Sequence, residues 1–347
     1  MNQDPVGAPP NRFGIESALA DLDANALYAL PHVSRYLLAD ALLRVETDSA
    51  AFHAGFLRNY GECAVPALER TPHIVFQVRA LGDGAVLATF RGAEAGPIDG
   101  FPGMFLPPSH GVRLASRAEW TLADLDHPVG PIAYSRDGIV AASDSPWEAL
   151  FASVAVNRVL SVQPQIVFFH GAAVRVNGRG LLLLGVSGAG KTSVSLALAA
   201  RGHDFYGDDI VGVRLDSRSI VPLRRAAHVR TGPTAPEVAR ALGDAPASHS
   251  GQRLTEVSRL FPQAGAAPAT LDLTVCLRHF TGETCLTAFS PRPEDLRWVT
   301  PHVGSLHAGR PAERAMRVVS LFSDSACFFL DSASPESAAN ALEQLTE

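Results

Sequence analysis

The sequence predicts an α/β fold over its second half, preceded by a small strand-rich α+β region, and three observations carry that expectation. Gly185-Val186-Ser187-Gly188-Ala189-Gly190-Lys191-Thr192 fits the pattern G-x-x-x-x-G-K-[ST] at every fixed position. The apolar run Leu181-Leu182-Leu183-Leu184 precedes it as a buried strand, and an Ala/Leu/Ser-rich stretch from Thr192 to Ala200 follows it as a helix. Further strand-like runs then alternate with helix-like ones, whereas the first half is marked mainly by short strands and turns.

Taken in order, residues 1–12 are polar and Pro/Gly-rich and read as a loose tail. Ile15 to Leu30 and Val33 to Leu43 show helix-like Leu/Ala spacing, with a strand as the alternative toward Leu42-Leu43-Arg44-Val45. The runs His73–Arg79 and Ala85–Phe90, separated by Gly82-Asp83-Gly84, predict a hairpin. A Pro/Gly-rich stretch from Gly92 to Gly111 interrupts, and short strands resume at Ile132–Tyr134 and Gly138–Val140. Residues 13–143 are therefore expected to form a strand-rich accessory or substrate domain. Ser145-Pro146-Trp147-Glu148 predicts a helix start with a capping box, so the boundary is placed just before it and 144–347 forms the second domain. Within that domain Val167–His170, Gly171–Val176, Phe205–Leu215, Asp272–His279 and Thr284–Phe289 read as strands. Gly202 suits a helix C′ position, and Ser334-Pro335-Glu336 opens a final helix.

Composition narrows the class. A chain of 347 residues with 47% hydrophobic content has material for more than one core. Net charge −6 and pI near 6.1 give no basis for nucleic acid binding or adhesion to an anionic membrane. Cys63, Cys276, Cys285 and Cys327 lack C-x-x-C spacing, which argues against zinc and suits reduced thiols. Cys276 and Cys285 have a spacing at which a hairpin would bring them face to face, although buried free thiols fit the composition better. The N-terminus has no basic and apolar leader pattern, and no apolar run approaches 18 residues; a cytoplasmic protein is expected.

Lys191 is the only lysine in the chain; every other Lys/Arg position is arginine. A compact ammonium reaches between phosphate oxygens where a planar guanidinium is too wide, so this one position resists replacement. Glycines let backbone N–H groups of residues 185–192 converge on a phosphate, and the helix start adds its positive dipole end. Thr192 carries a hydroxyl that can ligate Mg²⁺, and Asp209, in Gly207-Asp208-Asp209, is the candidate second metal ligand. The other carboxylate of that pair can take the proton of an attacking hydroxyl, as phosphoryl transfer to an alcohol requires. His170 ends an apolar run and is placed to hydrogen-bond an aspartate or a phosphate oxygen, or to serve structure alone. Arg224, Arg225 and Arg230 are candidates for stabilising transition-state charge.

His170-Gly171, the glycine loop, and Leu-Ala-Ala-Arg-Gly-His-Asp-Phe-Tyr-Gly-Asp-Asp-Ile-Val together resemble the HPr kinase/phosphorylase family over about residues 168–215. The resemblance implies a fold related to phosphoenolpyruvate carboxykinase, Asp208 as catalytic base, Lys191 on the phosphates, Mg²⁺ as cofactor and His170 in the active site. It also implies homo-oligomers. Val186 stands where that family usually carries aspartate. The glycine-rich signature expected after the double aspartate is replaced by Val221-Pro222-Leu223-Arg224-Arg225, and residues 1–143 do not match the family's regulatory domain. The expected function is an ATP-dependent kinase acting on a serine hydroxyl of a protein or peptide. A small-metabolite kinase and a nucleotide-binding switch without transfer are the alternatives. Acceptor specificity is expected in the N-terminal domain and in Arg230 to Gln263, a loop-rich stretch read either as a cover over the site or as an ordinary surface loop.

Overall fold

The computed structural model describes residues 15, 29–66, 70–81, 84–92, 108–113, 120–125, 128–230, 232–243, 252–280, 282–290, 316, 318–322 and 325–347. The expected N-terminal tail, most of Ile15–Leu30, much of the Gly92–Gly111 stretch and part of the Gly82-Asp83-Gly84 turn lie outside the described residues. The chain divides into two compact units, 1–57 with 64–162, and 58–63 with 163–347.

The first unit is built on an eight-stranded sheet in the order β1-β2-β3-β4-β8-β7-β6-β5. Its strands are β1 (His32–Leu38), β2 (Ala41–Thr47), β3 (Ile74–Leu81), β4 (Ala85–Gly92), β5 (Pro108–Arg113), β6 (Thr121–Leu125), β7 (Ile132–Tyr134) and β8 (Gly138–Ala142). The expected hairpin is present as the antiparallel pair β3–β4, with Phe76 opposite Phe90 and their rings stacked at 4.8 Å. Val33 to Leu43, expected as a helix, is instead strand, turn and strand: β1 and β2 pair antiparallel around Ala39, whose φ is 54°. The Leu/Ala spacing there satisfies both periods, and cross-strand pairing with burial of Leu42, Leu43 and Val45 decides for the sheet.

The helix Trp147–Ser161 falls in this first unit, its Trp147 ring stacked on Phe52 at 5.4 Å. Its expected capping box does not form. Pro146 occupies the cap position, and the Ser145 hydroxyl donates instead to the Ala142 carbonyl at 2.7 Å. That bond closes a turn behind β8, an alternative always open to a serine hydroxyl.

The second unit carries β9 (Ile166–Phe169), β10 (Ala172–Val176), β11 (Arg179–Leu184), β12 (Asp204–Gly207), β13 (Val211–Arg214), β14 (Ile220–Val221), β15 (Ala227–Arg230), β16 (Gln252–Thr255), β17 (Leu271–Phe280), β18 (Cys285–Phe289) and β19 (Ala326–Ser332). Six strands form a mixed sheet in the order β12-β10-β11-β17-β19-β18, in which β11–β17 and β17–β19 are parallel. The leucine run is its interior strand and is buried on both faces. Leu181 and Leu183 meet the helices Lys191–Ala200 and Pro335–Thr346, while Leu182 and Leu184 meet β9, β13 and residues 318–322. Arg201 caps the first of these helices, Gly202 follows at φ 91°, and Ser334 opens the second with a capping box closed by Ser337.

Three expectations change here. Phe205 to Leu215 is two strands, β12 in one sheet and β13 in another, broken at Asp208-Asp209. Cys276 and Cys285 do not face one another, because β19 lies between β17 and β18; Cys276 is buried and Cys285 exposed. The stretch Arg230 to Gln263 is built rather than loose where it is described. It holds the helices Pro236–Leu242 and Val257–Leu260 and strand β16, with Val238, Leu242, Val257 and Phe261 in the core.

Candidate functional site

The site lies where β11 ends, at the carboxyl edge of the parallel strands, the position at which an open α/β sheet leaves a crevice. Residues 185–190 turn the chain from strand to helix through left-handed backbone at Gly188 and Gly190, with φ of 86° and 93°. At Gly190 the need for glycine is double: an added Cβ would stand 2.5 Å from Cζ of Phe280, the last residue of β17. The helix beginning at Lys191 has no side-chain cap, so its first-turn N–H groups are not taken by a capping side chain.

Lys191 is buried and folds back over the loop. Its Nζ donates to the Gly185 carbonyl at 2.6 Å and the Val186 carbonyl at 3.3 Å. Burial pulls the ammonium pKa down, while Asp209 and Asp208 push it the other way. Val186 itself is exposed.

The two aspartates occupy the break between β12 and β13 and have different surroundings. Asp208 is buried, and its Oδ2 accepts a hydrogen bond from the Thr192 hydroxyl at 2.8 Å. Its Oδ1 is also buried and has no hydrogen-bond partner. Burial pushes the Asp208 carboxyl up to about 6, against the pull of Arg225 and Thr192. Asp209 takes a left-handed conformation, φ 70°, rare for a residue with a side chain. Its carboxylate is gripped from two sides, with His170 Nδ1 at 3.2 Å from Oδ1 and Arg225 Nη2 at 3.1 Å from Oδ2. Burial alone would raise the Asp209 carboxyl, but the His170 hydrogen bond and the Arg225 charge bring it down to about 2. His170 Nδ1 is also 3.0 Å from the Asp209 carbonyl oxygen.

These residues line one cavity of about 390 Å³ that reaches from the loop to Arg225, His228, Arg230 and Phe280. The structure therefore brings together Lys191, Thr192, Asp208, Asp209 and His170, all singled out from the sequence. Arg225 and Arg230 line the same cavity, but Arg224 does not. Its Nε sits 3.0 Å from Glu62 Oε2. Phe280, His228 and Tyr60, which hydrogen-bonds Arg225, were not legible. Phe280 and His228 are single residues in ordinary strands, and Tyr60 ends a helix far from the loop in sequence. No group of three or more His, Cys, Asp or Glu side chains is arranged to hold a metal among the described residues.

A glycine loop between a parallel strand and a helix, with an acidic pair and a single lysine facing one cavity, is an arrangement suited to holding phosphate in an α/β unit. Residues 163–228 match the HPr Serine kinase C-terminal domain, so this stretch is HPr-kinase-like, as the motifs implied. The chain is 45% identical over 53 residues to an HPr kinase/phosphorylase of Chlorobium limicola, covering 15% of this chain and 16% of that protein. It is 44% identical over 64 residues to the one of Caldanaerobacter subterraneus, covering 17% and 21% respectively. The chain thus spans about a fifth or less of the length of these relatives. The structure of the Hpr(Ser) kinase/phosphatase from Coxiella burnetii is 14% identical, with a TM-score of 0.30, and covers 51% of this chain and 92% of that one. No helix among the described residues is long and apolar enough to cross a membrane.

Proposed function

We propose that the protein is an ATP-dependent kinase that transfers the γ-phosphoryl group to a serine hydroxyl of a protein or peptide, in the cytoplasm. The observation that carries this reading is Asp208: a buried carboxyl with a free oxygen, raised to about 6, in one cavity with the loop lysine. Such a group is ionised at neutral pH yet basic enough to accept a proton. The unit 58–63 with 163–347 is assigned to the phosphoenolpyruvate-carboxykinase-related kind. The mixed sheet, with antiparallel β10 directly beside the loop strand, supports that assignment.

In this mechanism the loop N–H groups and the Lys191 ammonium hold the β- and γ-phosphates. The acceptor hydroxyl oxygen forms the new bond to the γ-phosphorus as the bond to the β–γ bridging oxygen breaks, and the hydroxyl proton passes to Asp208 Oδ1. His170 and Arg225 keep Asp209 ionised and oriented. The donor set fits Mg²⁺: one hydroxyl, Thr192, and one ionised carboxylate, Asp209, lining the same cavity as the loop. Few protein ligands is the usual case for this ion, which completes its shell with water and phosphate. Thr192 and Asp209 would hold it, and it would neutralise charge on the phosphate oxygens.

The test is γ-labelled ATP with Mg²⁺, the purified protein and a desalted cell lysate, beside Asp208→Ala and with the removed small molecules assayed in parallel. Label in a polypeptide band made only by the wild type is the expected result. Label confined to the small-molecule fraction would replace the reading with a metabolite kinase, and label remaining on ATP would reduce it to a nucleotide-binding switch.

A further inference from the structure

The partly buried guanidinium of Arg225 pairs through Nη2 with Asp209 Oδ2, while its Nε is buried without a hydrogen-bond partner. A single charged contact does not fix the plane of a guanidinium on a long stem. A second contact does: the phenol oxygen of Tyr60, the last residue of the helix Ala50–Tyr60, accepts a hydrogen bond from Arg225. Tyr60 is itself 5% exposed.

The segment that carries Tyr60 is fastened on both sides of Arg225. Glu62 Oε2 is 3.0 Å from Arg224 Nε, and the Asn59 carbonyl accepts from the Ala226 N–H at 2.7 Å. Asn59 Oδ1 lies 3.2 Å from His228 Nε2, and Glu62 Oε1 accepts from the Ser258 N–H at 3.1 Å. Residues 58–63 thus belong to the second unit although the rest of their helix belongs to the first. The left-handed backbone of Asp209 persists where its surroundings over-determine it: His170 Nδ1 lies 3.0 Å from its carbonyl oxygen, and the grip of Arg225 on its carboxylate is part of the same constraint.

We propose that Tyr60 is a positioning residue of the phosphate cavity, which fixes the Arg225 guanidinium and through it the Asp209 carboxylate. This deepens the phosphoryl-transfer reading and rests on it. Tyr60 touches no reacting atom. Its removal leaves a second buried donor of Arg225 unpaired and lets the guanidinium turn away from Asp209.

The experiment is a double-mutant cycle in the full-length protein with Tyr60→Phe, Arg225→Lys and the pair, each checked for folding by its melting temperature. Tyr60→Phe is expected to lower kcat about 10-fold, the effect of one lost hydrogen bond to a charged group, with KM for ATP changed less than about 2-fold. In the Arg225→Lys background the same change should alter kcat by less than about 2-fold. Equal factors in both backgrounds would overturn the proposal and leave Tyr60 a packing residue. A second measurement does not depend on transfer: the hydrogen-exchange rate of the Arg225 Nε–H, assigned in ¹⁵N spectra by its loss in Arg225→Lys. It is expected to rise about 10-fold in Tyr60→Phe, and an unchanged rate overturns the proposal. A wild type that transfers no phosphate refutes the functional reading, while this exchange rate still decides the role of Tyr60.

Discussion

Asp208 and Asp209 are adjacent in the chain, yet their carboxyls are held near about 6 and about 2, and the sign of their effect on stability differs accordingly. The raised Asp208 contributes stability that is complete below its unfolded value of 3.8 and is lost as pH rises through about 6. Asp208→Asn keeps an oxygen for the Thr192 hydroxyl and removes the buried charge. It should raise stability at pH 8 by roughly 1–3 kcal/mol and give no gain at pH 4, read from melting curves at the two pH values. The same substitution should lower transfer by a factor of about 10²–10⁴, the usual contribution of a general base, and kcat/KM of the wild type should fall below about pH 6. Undiminished transfer by Asp208→Asn would remove the base assignment. Asp209 behaves oppositely: its contribution is present above 3.8 and lost as pH falls through about 2. Lys191→Arg tests the lone lysine. It keeps the charge but places a planar fork where a point charge fits, so ATP affinity by calorimetry should fall at least about 10-fold.

The glycine loop is the element that converts the sheet into a site. Gly188 and Gly190 share positive φ, but only Gly190 lies under the Phe280 ring; at Gly188 an added Cβ meets nothing within 4 Å. Gly188→Ala should therefore cost only the backbone term, about 1–2 kcal/mol, and Gly190→Ala more than that. Thermal unfolding orders the two, and equal losses would show that Phe280 yields freely. Adding Phe280→Ala to Gly190→Ala should recover the steric part and leave the backbone part. The neighbouring break at Asp208-Asp209 follows from the same economy of sheets. β12 pairs with β10 in one sheet and β13 with β9 in another, so the residues between must turn, and their carboxyls part, Asp208 toward Thr192 and Asp209 toward His170 and Arg225.

Across the whole molecule, the second unit recruits residues 58–63 from the first half of the chain. A polypeptide limited to 163–347 lacks Glu62 and Tyr60, the partners of Arg224 and Arg225. Leaving a partly buried guanidinium without its partner costs about 1–3 kcal/mol, so this fragment should melt below the full chain and bind ATP more weakly. Calorimetric melting of both proteins checks this, and identical melting temperatures would show that the segment contributes nothing to the unit. The sequence-based boundary before Ser145 assigns neither this segment nor the helix Trp147–Ser161 as the compact units do. The reason is that a boundary read from local composition sees helix starts and turns, whereas membership of a unit depends on contacts between residues far apart in the chain.

The sequence by itself determined the strand–loop–helix around Lys191, the C′ glycine at Gly202, the hairpin β3–β4 and the identity of His170, Asp208 and Asp209 as site candidates. Each depends on a local pattern: fixed spacing, a residue with unusual backbone freedom, or an alternation of period two. Tertiary structure decided that Val33 to Leu43 is a hairpin, that Asp208 faces Thr192 while Asp209 faces His170 and Arg225, that Phe280 lines the cavity and that Tyr60 bonds Arg225. Those outcomes turn on burial and on distances between segments remote in sequence. Burial sets the cost of a charge and long-range pairing sets the cost of a strand, and neither cost is written in the residues that bear it.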